Sequence, residues 1–280
     1  MNNIVSGVKI SNPNKIIYPK DIITKLDVVK YYEKIAPRIL PFLNNRLLSV
    51  IRCHQGVSDA CFFKKHPTTE NDYVKTFMDG DDEYFYITTQ KELVFQAQMG
   101  TIEFHPWGSS VPKIEKPNIM IFDLDPDEKL SLEKLREGVK LLKQVLDELN
   151  LISFLKTSGG KGYHIVVPFS NTKDWDSFSD FAKKIALFLE SKYPNIFTSS
   201  IRKAERGNKI FVDWLRNSKG ATCVAPNSLR SRDGATLSLP ISWRDLDKIS
   251  PNEINIKNFT KYLKPTDPWQ EFFNVKQKLK

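Results

Sequence analysis

Two aspartates stand two residues apart at the end of an apolar run in "NIMIFDLDPDE", residues 118–128. Residues i and i+2 of a strand point to the same side. Asp123 and Asp125 therefore project together from the end of a strand whose other side chains are buried. Two adjacent like charges are unfavourable there unless a cation lies between them. Carboxylate oxygens are hard ligands that suit Mg2+ or Mn2+. A third aspartate, Asp213, sits inside another strand-like run, "KIFVDWLR". An acidic residue there needs a metal or a basic partner, and Arg216 or Arg206 would serve as the latter. Three strand-borne carboxylates can hold two cations that clamp a phosphoryl transfer. The plainer alternative for the first pair is a solvated turn at "DPDE".

Two further stretches have chemistry suited to an anion. In "KTSGGKGYH", residues 156–164, glycines let the backbone turn tightly and aim N–H groups at an anion, and Lys161 adds charge. This is not the G-x-x-x-x-G-K-[ST] phosphate loop, because that spacing is absent and a strand follows instead of a helix. An ordinary glycine hairpin is the alternative, and His164, which begins the next strand, either faces the same site or packs. In "SLRSRDGAT", Arg230 and Arg232 again stand two apart. Side-by-side guanidiniums repel unless an anion joins them, and a triphosphate matches that fork; a solvated "RDG" turn is the alternative. Metal carboxylates, an anion loop and an arginine pair are together the parts of a nucleotidyl-transfer site.

The elements that must position these residues follow from periodicity. Thr24 is expected to cap a helix with Val28, Tyr32 and Ile35 on one face. "LLSVIRC" and "TIEFHPW" read as strands, with a short helix at "TTQKELVFQAQMG" between them. Beyond Asp125, Leu135, Val139, Leu142, Leu146 and Leu149 mark an amphipathic helix, and Trp175, Phe178, Ala182, Ile185 and Leu189 a second. "ISFLKT", "YHIVVP", "KIFVDWL", "ATCVA" and "ATLSLP" read as strands. The order is an α/β N-terminal part, then β-α-β-β-α-β-β-β. This implies an α+β sheet with helices mainly on one face. The break falls near Pro112–Pro117, which divides one 280-residue domain into residues 1–115 and 116–280.

The chain of 280 residues is 40% hydrophobic and 27% charged, enough for one large core or two closely packed modules. No apolar run approaches the ~20 residues that span a bilayer. The N-terminus lacks a signal-peptide pattern, and Cys53, Cys61 and Cys223 are expected as buried, reduced thiols of a cytoplasmic protein. The spacing of Cys53, His54, Cys61 and His66 matches no usual zinc finger. A net charge of +9 favours polyanions, nucleic acid before acidic membranes.

With these motifs in this order, the chain resembles the polymerase domain of bacterial and archaeal ligase D, within the archaeo-eukaryotic primase superfamily. The resemblance runs from "NPNKIIYPKDIITKLDVVKYY" through "CFFKKHP", "EFHPWG", "FDLDP", "KTSGGKGYH" and "VDWLRN" to "APNSLRSRDGATLSLPISW". It implies a primase-type (RRM-like) β-sheet core with flanking helices and an N-terminal α/β module, without separate fingers or thumb. It implies that Asp123, Asp125 and Asp213 bind two catalytic ions, Mn2+ or Mg2+. Ser158, Lys161, His164, Arg230 and Arg232 match positions that hold the incoming NTP or dNTP. His105 matches a residue near the sugar, and Arg216 one beside the nucleotide. Asn12, Lys15 and Lys25 match a pocket for a downstream 5′-phosphate at a gap or break, and Phe62 and Phe63 an aromatic pair that stacks on the template.

The implied function is template-directed nucleotidyl transfer that fills gaps and extends ends in non-homologous end joining, with ribonucleotides preferred. The expected setting is the cytoplasm at the nucleoid, with a separate DNA ligase and a Ku-type end binder as partners. The acidic "MDGDDEYF" stretch would repel phosphate, which argues against end synapsis through it. The competing classes are a metal-dependent nuclease, a D-x-D glycosyltransferase and a non-catalytic DNA-end-bridging module. A nuclease needs neither the arginine pair nor the glycine loop, a glycosyltransferase has little use for basic DNA contacts, and a decayed module would not keep all three motifs.

Overall fold

A computed structural model describes residues 3–67 and 73–279. Two short hairpins open the chain, β1 (Ile4–Val5) with β2 (Val8–Lys9) and β3 (Ile16–Tyr18) with β4 (Ile23–Thr24). Helix α1 (Lys25–Leu43) follows. Thr24 caps it as expected: its hydroxyl accepts from the Asp27 amide, and Asp27 accepts from the Thr24 amide. Val28, Tyr32 and Ile35 are buried on its inner face.

Strands β5 (Leu48–Arg52) and β6 (Phe62–Lys64) pair, then β7 (Lys75–Asp79) and β8 (Asp82–Tyr86) form a separate hairpin. Helix α2 (Gln90–Gln98) has a second capping box, Thr89 with Glu92. Strand β9 (Thr101–Pro106) returns beside β5, giving the sheet order β6-β5-β9.

The second half contains β10 (Ile119–Pro126), α3 (Leu132–Glu148), β11 (Phe154–Thr157), β12 (Tyr163–Pro168) and α4 (Trp175–Lys192). These are followed by β13 (Phe197–Thr198), β14 (Ile210–Asp213), β15 (Ser228–Leu229), β16 (Leu237–Ser238) and β17 (Pro240–Ile241). Six of these strands make one sheet in the order β13-β14-β10-β12-β11-β17, antiparallel except for the β13–β14 pair.

Period-two alternation divides this sheet into two faces. Met120, Phe122, Leu124, Ile165 and Val212 join the main core with Leu135, Val139 and Leu142 of α3 and Phe178, Ala182 and Leu189 of α4. Both long helices thus cover the same face. On the other face, Ile119, Phe154 and Val166 pack against Phe42, Trp269 and Phe272. The polar residues Asp123, Asp125, Asp213, His164 and Lys156 continue the alternation of that second face.

The main core also takes in Val28, Tyr32 and Ile35 of α1 and Phe104 of β9, so it extends across the Pro112–Pro117 break. The Tyr31 hydroxyl donates to the Asn227 carbonyl, and the Ala225 amide to the Phe104 carbonyl.

Three sequence expectations need correction. "ATCVA" forms no strand: its ladder reduces to a single bridge, Trp107 with Thr222. "ATLSLP" divides between β16, which pairs with β15, and β17, which joins the large sheet. Cys53 and Cys61 are not reduced buried thiols but a disulfide: the turn from β5 back to β6 brings their Cα atoms to 4.4 Å. Cys61 is only half-buried, whereas Cys223 is free and buried.

Candidate active site

Strand register builds the centre of the site. Asp123 on β10 stands opposite Asp213 on β14 and opposite His164 on β12, and His164 in turn stands opposite Lys156 on β11. Residues opposite one another in an antiparallel ladder share a face. A row of four polar side chains, Asp213, Asp123, His164 and Lys156, therefore crosses four strands. Asp125 lies two residues further along β10, opposite Phe211.

The carboxylates occupy different fields. His164 Nε2 lies 3.2 Å from Asp123 Oδ1, and Arg216 Nε lies 3.6 Å from Asp123 Oδ2. Burial pushes Asp123 up, but His164 and Arg216 outweigh it and hold its carboxyl well below the usual range. Asp125 and Asp213 are both pushed up, first by burial and then by the neighbouring Asp123 charge. Arg216 Nε is 3.0 Å from Asp213 Oδ2, so its guanidinium sits between two of the three carboxylates. Arg206 lies over the Phe211 ring, with its Nη1 3.3 Å from Asp125 Oδ2. Both basic partners considered for Asp213 are thus in the site, Arg216 on Asp213 and Arg206 on Asp125.

Two residue sets bear on a divalent cation. The one expected from the sequence is Asp123, Asp125 and Asp213, whose ligand atoms do not gather within 4.8 Å of one another as they stand. The second is Asp123, His164 and Cys223, which each offer one ligand atom within 4.8 Å of the others. The second set is already engaged: Lys156 Nζ lies 2.7 Å from His164 Nδ1, the nitrogen that faces Cys223 at 3.3 Å. An ammonium there opposes a cation. The all-oxygen set suits Mg2+ or Mn2+.

The glycine loop closes on itself. Ser158 Oγ accepts from the Gly160 and Gly162 amides at 3.0 and 3.2 Å, so these N–H groups serve the turn. The glycines are needed for close approach. A Cβ on Gly162 would lie 2.0 Å from the Leu124 carbonyl oxygen, and one on Gly160 2.7 Å from Arg232 Nη1. Lys161 points outward to Glu128 at 2.7 Å, beside a cleft lined by Asp125, Lys203 and Arg206. Ser158, Lys161, Arg230 and Arg232 therefore surround one loop, and the Arg230 guanidinium donates to the Ser158 carbonyl at 2.6 Å.

Glu103 is a central residue that the sequence reasoning missed. Its Oε2 lies 3.0 Å from His105 Nε2 and 2.9 Å from Arg230 Nε, while Oε1 accepts from the Ser231 amide at 2.7 Å. Burial raises its pKa, but His105, Arg230 and Ser231 overcome that and bring it to about 2. One carboxylate therefore ties the expected sugar-side histidine to the expected triphosphate arginine. Its signal was present as E-x-H in "EFHPW", the same i, i+2 logic applied to Asp123 and Asp125. Lys156 was also missed, because a lysine within "FLKTSGG" looks like the solvated edge of a loop, yet it is fully buried.

A second cluster lies at the N-terminal module. The Lys25 amide donates to the Lys15 carbonyl at 2.8 Å, the Lys15 amide to the Asn12 carbonyl at 3.0 Å, and Asn12 adopts φ +48°. The Lys15 ammonium reaches Gln55 at 2.7 Å, and Lys25 reaches Ser11 at 3.3 Å. Burial and then Lys15 lower the pKa of Lys25. His54 is lowered by burial and by Arg52, Lys15, Lys25 and Lys64, which marks a concentrated positive field. Phe62 and Phe63 are 43% and 57% exposed, so neither enters the core. Strand β6 is an edge strand of its sheet. In the acidic hairpin, Asp79 pairs with Lys219 at 3.1 Å.

Among the described residues, no helix is long and apolar enough to cross a membrane. The family model described as "LigD, primase-polymerase domain" matches residues 24–269. The chain is 35% identical to the multifunctional non-homologous end joining protein LigD of Pseudomonas aeruginosa, over 98% of this chain and 34% of that protein. It is 30% identical to the LigD of Mycolicibacterium smegmatis, over 94% of this chain and 35% of that one. The chain thus spans about a third of the length of these relatives. Among solved structures it is similar to the polymerase domain of Mycobacterium tuberculosis ligase D in complex with DNA. The TM-score is 0.86 at 27% identity, covering 94% of this chain and 97% of the other. Catalysis in this family is DNA-directed, metal-dependent nucleotidyl transfer. The fold, the order of the motifs and these likenesses agree: the chain belongs to the LigD primase-polymerase domain family.

Proposed function

We propose that this protein extends a DNA primer across a gap or from a broken end, with a nucleoside triphosphate as donor, and that it does so in non-homologous end joining. The observation that carries the reading is the strand register that sets Asp123 against Asp213 on one sheet face, with Asp125 two residues along the same strand. In this reading the three aspartates hold two divalent ions, Mn2+ or Mg2+. Cations held there would offset the repulsion from Asp123 that, after burial, raises Asp125 and Asp213. Bound cations supply charge stabilisation to the transferring phosphoryl group. Arg216 would have to leave Asp213 for a cation to reach that carboxylate.

Ser158, Lys161, His164, Arg230 and Arg232 hold the triphosphate around the glycine loop, and His105 stands at the sugar, where a ribonucleotide is preferred. Asn12, Lys15 and Lys25 hold the 5′-phosphate of the downstream strand. Phe62 and Phe63 stack on template bases, for which an exposed aromatic pair on an edge strand is suited. Residues 1–115 then serve the DNA end and residues 116–280 the catalysis, within one domain, with a DNA ligase and a Ku-type end binder as partners.

The test is primer extension on 5′-phosphorylated gapped DNA with Mn2+ and either rNTP or dNTP. Templated addition is expected, faster with rNTP. Strand cleavage without addition would establish a nuclease, and DNA binding without either activity an end-bridging module.

A further inference from the structure

We propose that Tyr18 and Asp21 are positioning residues for the nucleotide site: from the N-terminal module they hold the backbone of the turn that aims Arg230 and Arg232. The inference deepens the nucleotidyl-transfer reading and rests on it for the role of the two arginines.

The turn carries a burden that its own bonds do not relieve. Residues 230–236 join β15 to β16, and the Arg230 amide donates to the Thr236 carbonyl at 2.9 Å to close them. Arg230 and Arg232 stand two residues apart on this turn, and their like charges repel. The Arg230 side chain is anchored, with Nε 2.9 Å from Glu103 Oε2 and Nη1 on the Ser158 carbonyl at 2.6 Å. Arg232 has no such anchor. Among the described residues its guanidinium makes no hydrogen bond or ion pair. It lies against the glycine loop, where a Cβ on Gly160 would come within 2.7 Å of its Nη1. The direction of Arg232 is therefore set by its backbone and not by partners of its side chain.

Two bonds from one hairpin fix that backbone, on either side of Arg232. The Tyr18 hydroxyl donates to the Arg230 carbonyl at 2.9 Å, and Asp21 Oδ2 accepts from the Gly234 amide at 2.9 Å. Tyr18 is 1% exposed, so its hydroxyl cannot exchange this partner for water. Glu103 takes the first half of the turn, at the Ser231 amide, and Asp21 takes the second half. A third contact from the same hairpin, Lys20 to Asp233 at 2.7 Å, is exposed at both ends and contributes little.

The hairpin is itself bent to reach the turn. Ile22 has φ +54° and is 76% exposed. That conformation is unfavourable for a β-branched residue and persists only where the surroundings over-determine it. Burial gives nothing back at so exposed a side chain. Ile22 lies between Ile23, which is part of the main core, and Asp21, which reaches across to Gly234. At the other end of the hairpin stand Lys15 and Lys25. The hairpin thus runs from the basic N-terminal cluster to the arginine turn, and part of the N-terminal module serves the nucleotide side.

The experiment measures steady-state primer extension by the full chain on 5′-phosphorylated gapped DNA, with Mn2+ and a varied rNTP. Tyr18→Phe and Asp21→Ala should each raise the rNTP KM about three- to ten-fold, the worth of one hydrogen bond. The kcat and the Kd for gapped DNA should change little, because the lost interaction is uniform nucleotide binding. Asp21→Asn keeps an oxygen that accepts from the Gly234 amide and should restore the wild-type KM. Lys20→Ala removes only the exposed pair and should leave KM unchanged. Hydrogen exchange of the 230–236 amides should be faster in Asp21→Ala than in wild type.

A wild-type KM in both Tyr18→Phe and Asp21→Ala overturns the positioning role, even where exchange in the turn quickens. So does a KM rise with no change in exchange, or one that Asp21→Asn fails to rescue, or one that Lys20→Ala reproduces. A matching loss of DNA affinity overturns it as well, because the variants would then loosen the module as a whole. A wild type that adds no nucleotide removes the nucleotidyl-transfer reading and the positioning role with it, whereas normal extension with an unmoved KM removes the positioning role alone.

Discussion

Replacing Glu103 by Gln tests whether one buried carboxylate organises both sides of the proposed nucleotide site. Its side chain is 3% exposed and faces Arg230 Nε at 2.9 Å and His105 Nε2 at 3.0 Å. Its pKa falls from an ordinary 4.5 to about 2. That shift corresponds to about 3 kcal/mol of folding stability at neutral pH, at about 1.4 kcal/mol per unit. Gln keeps the shape and can still accept from Ser231, but it loses the charge and sets an amide against two donors. Glu103→Gln should therefore be less stable than wild type by about 2–4 kcal/mol at pH 7.

The sign of the pH dependence follows from the direction of the shift. A depressed carboxyl stabilises the fold above its unfolded pKa and loses that contribution as pH falls through 4.5 toward 2. Denaturant unfolding at pH 7 and pH 3.5 should show the difference between the two proteins narrowing by about 1 kcal/mol. The ribonucleotide KM should rise more than the Kd for DNA, because Arg230 and His105 lose their common anchor. Equal stability at pH 7, or a gap that does not narrow in acid, would refute the reasoning.

Changing Asp123, Asp125 or Asp213 to Ala should abolish extension with little loss of fold; extension at near wild-type rate in any of them would remove the metal assignment. Arg216→Ala should tighten Mn2+ binding about five-fold or more, since removing a charge about 4 Å away is worth roughly 1 kcal/mol even in water, and titration calorimetry would detect a contrary weakening. Lys15→Ala with Lys25→Ala should erase a preference of roughly ten-fold or more for 5′-phosphorylated gaps, measured as Kd at one salt concentration, because a charged contact contributes about 1.5–3 kcal/mol. Phe62→Ala with Phe63→Ala should weaken template binding by about 1–3 kcal/mol per unstacked base, and an unchanged affinity would return the pair to ordinary exposed surface.

Much of this protein is legible in one dimension because the physics involved is local. Helix faces repeat every 3.6 residues and strand faces every two, so α1, α3 and α4 and the Asp123, Asp125 pair could be read from spacing alone. Capping at Thr24 is likewise a matter of three residues. The charge of +9 follows from composition, whereas the nearness of Lys15 and Lys25 was implied by the resemblance and is seen in the Lys25 amide on the Lys15 carbonyl.

What the tertiary structure decided lies between strands. Asp213, Asp123, His164 and Lys156 are spread over 91 positions (213 − 123 + 1) in the chain, and only the antiparallel register brings them into one row. A register shifted by one residue would send alternate members to the helix-covered face. The same holds for Glu103 with Arg230, and for Cys53 with Cys61, whose pairing depends on a turn that composition does not reveal. That Phe62 and Phe63 are both exposed is decided by what packs on the two faces of β6, and not by the dipeptide. The sequence thus determined which chemistry was present. Long-range pairing decided which charge meets which, because the field at a carboxylate depends on neighbours a few ångströms away in space and not on those beside it in the chain.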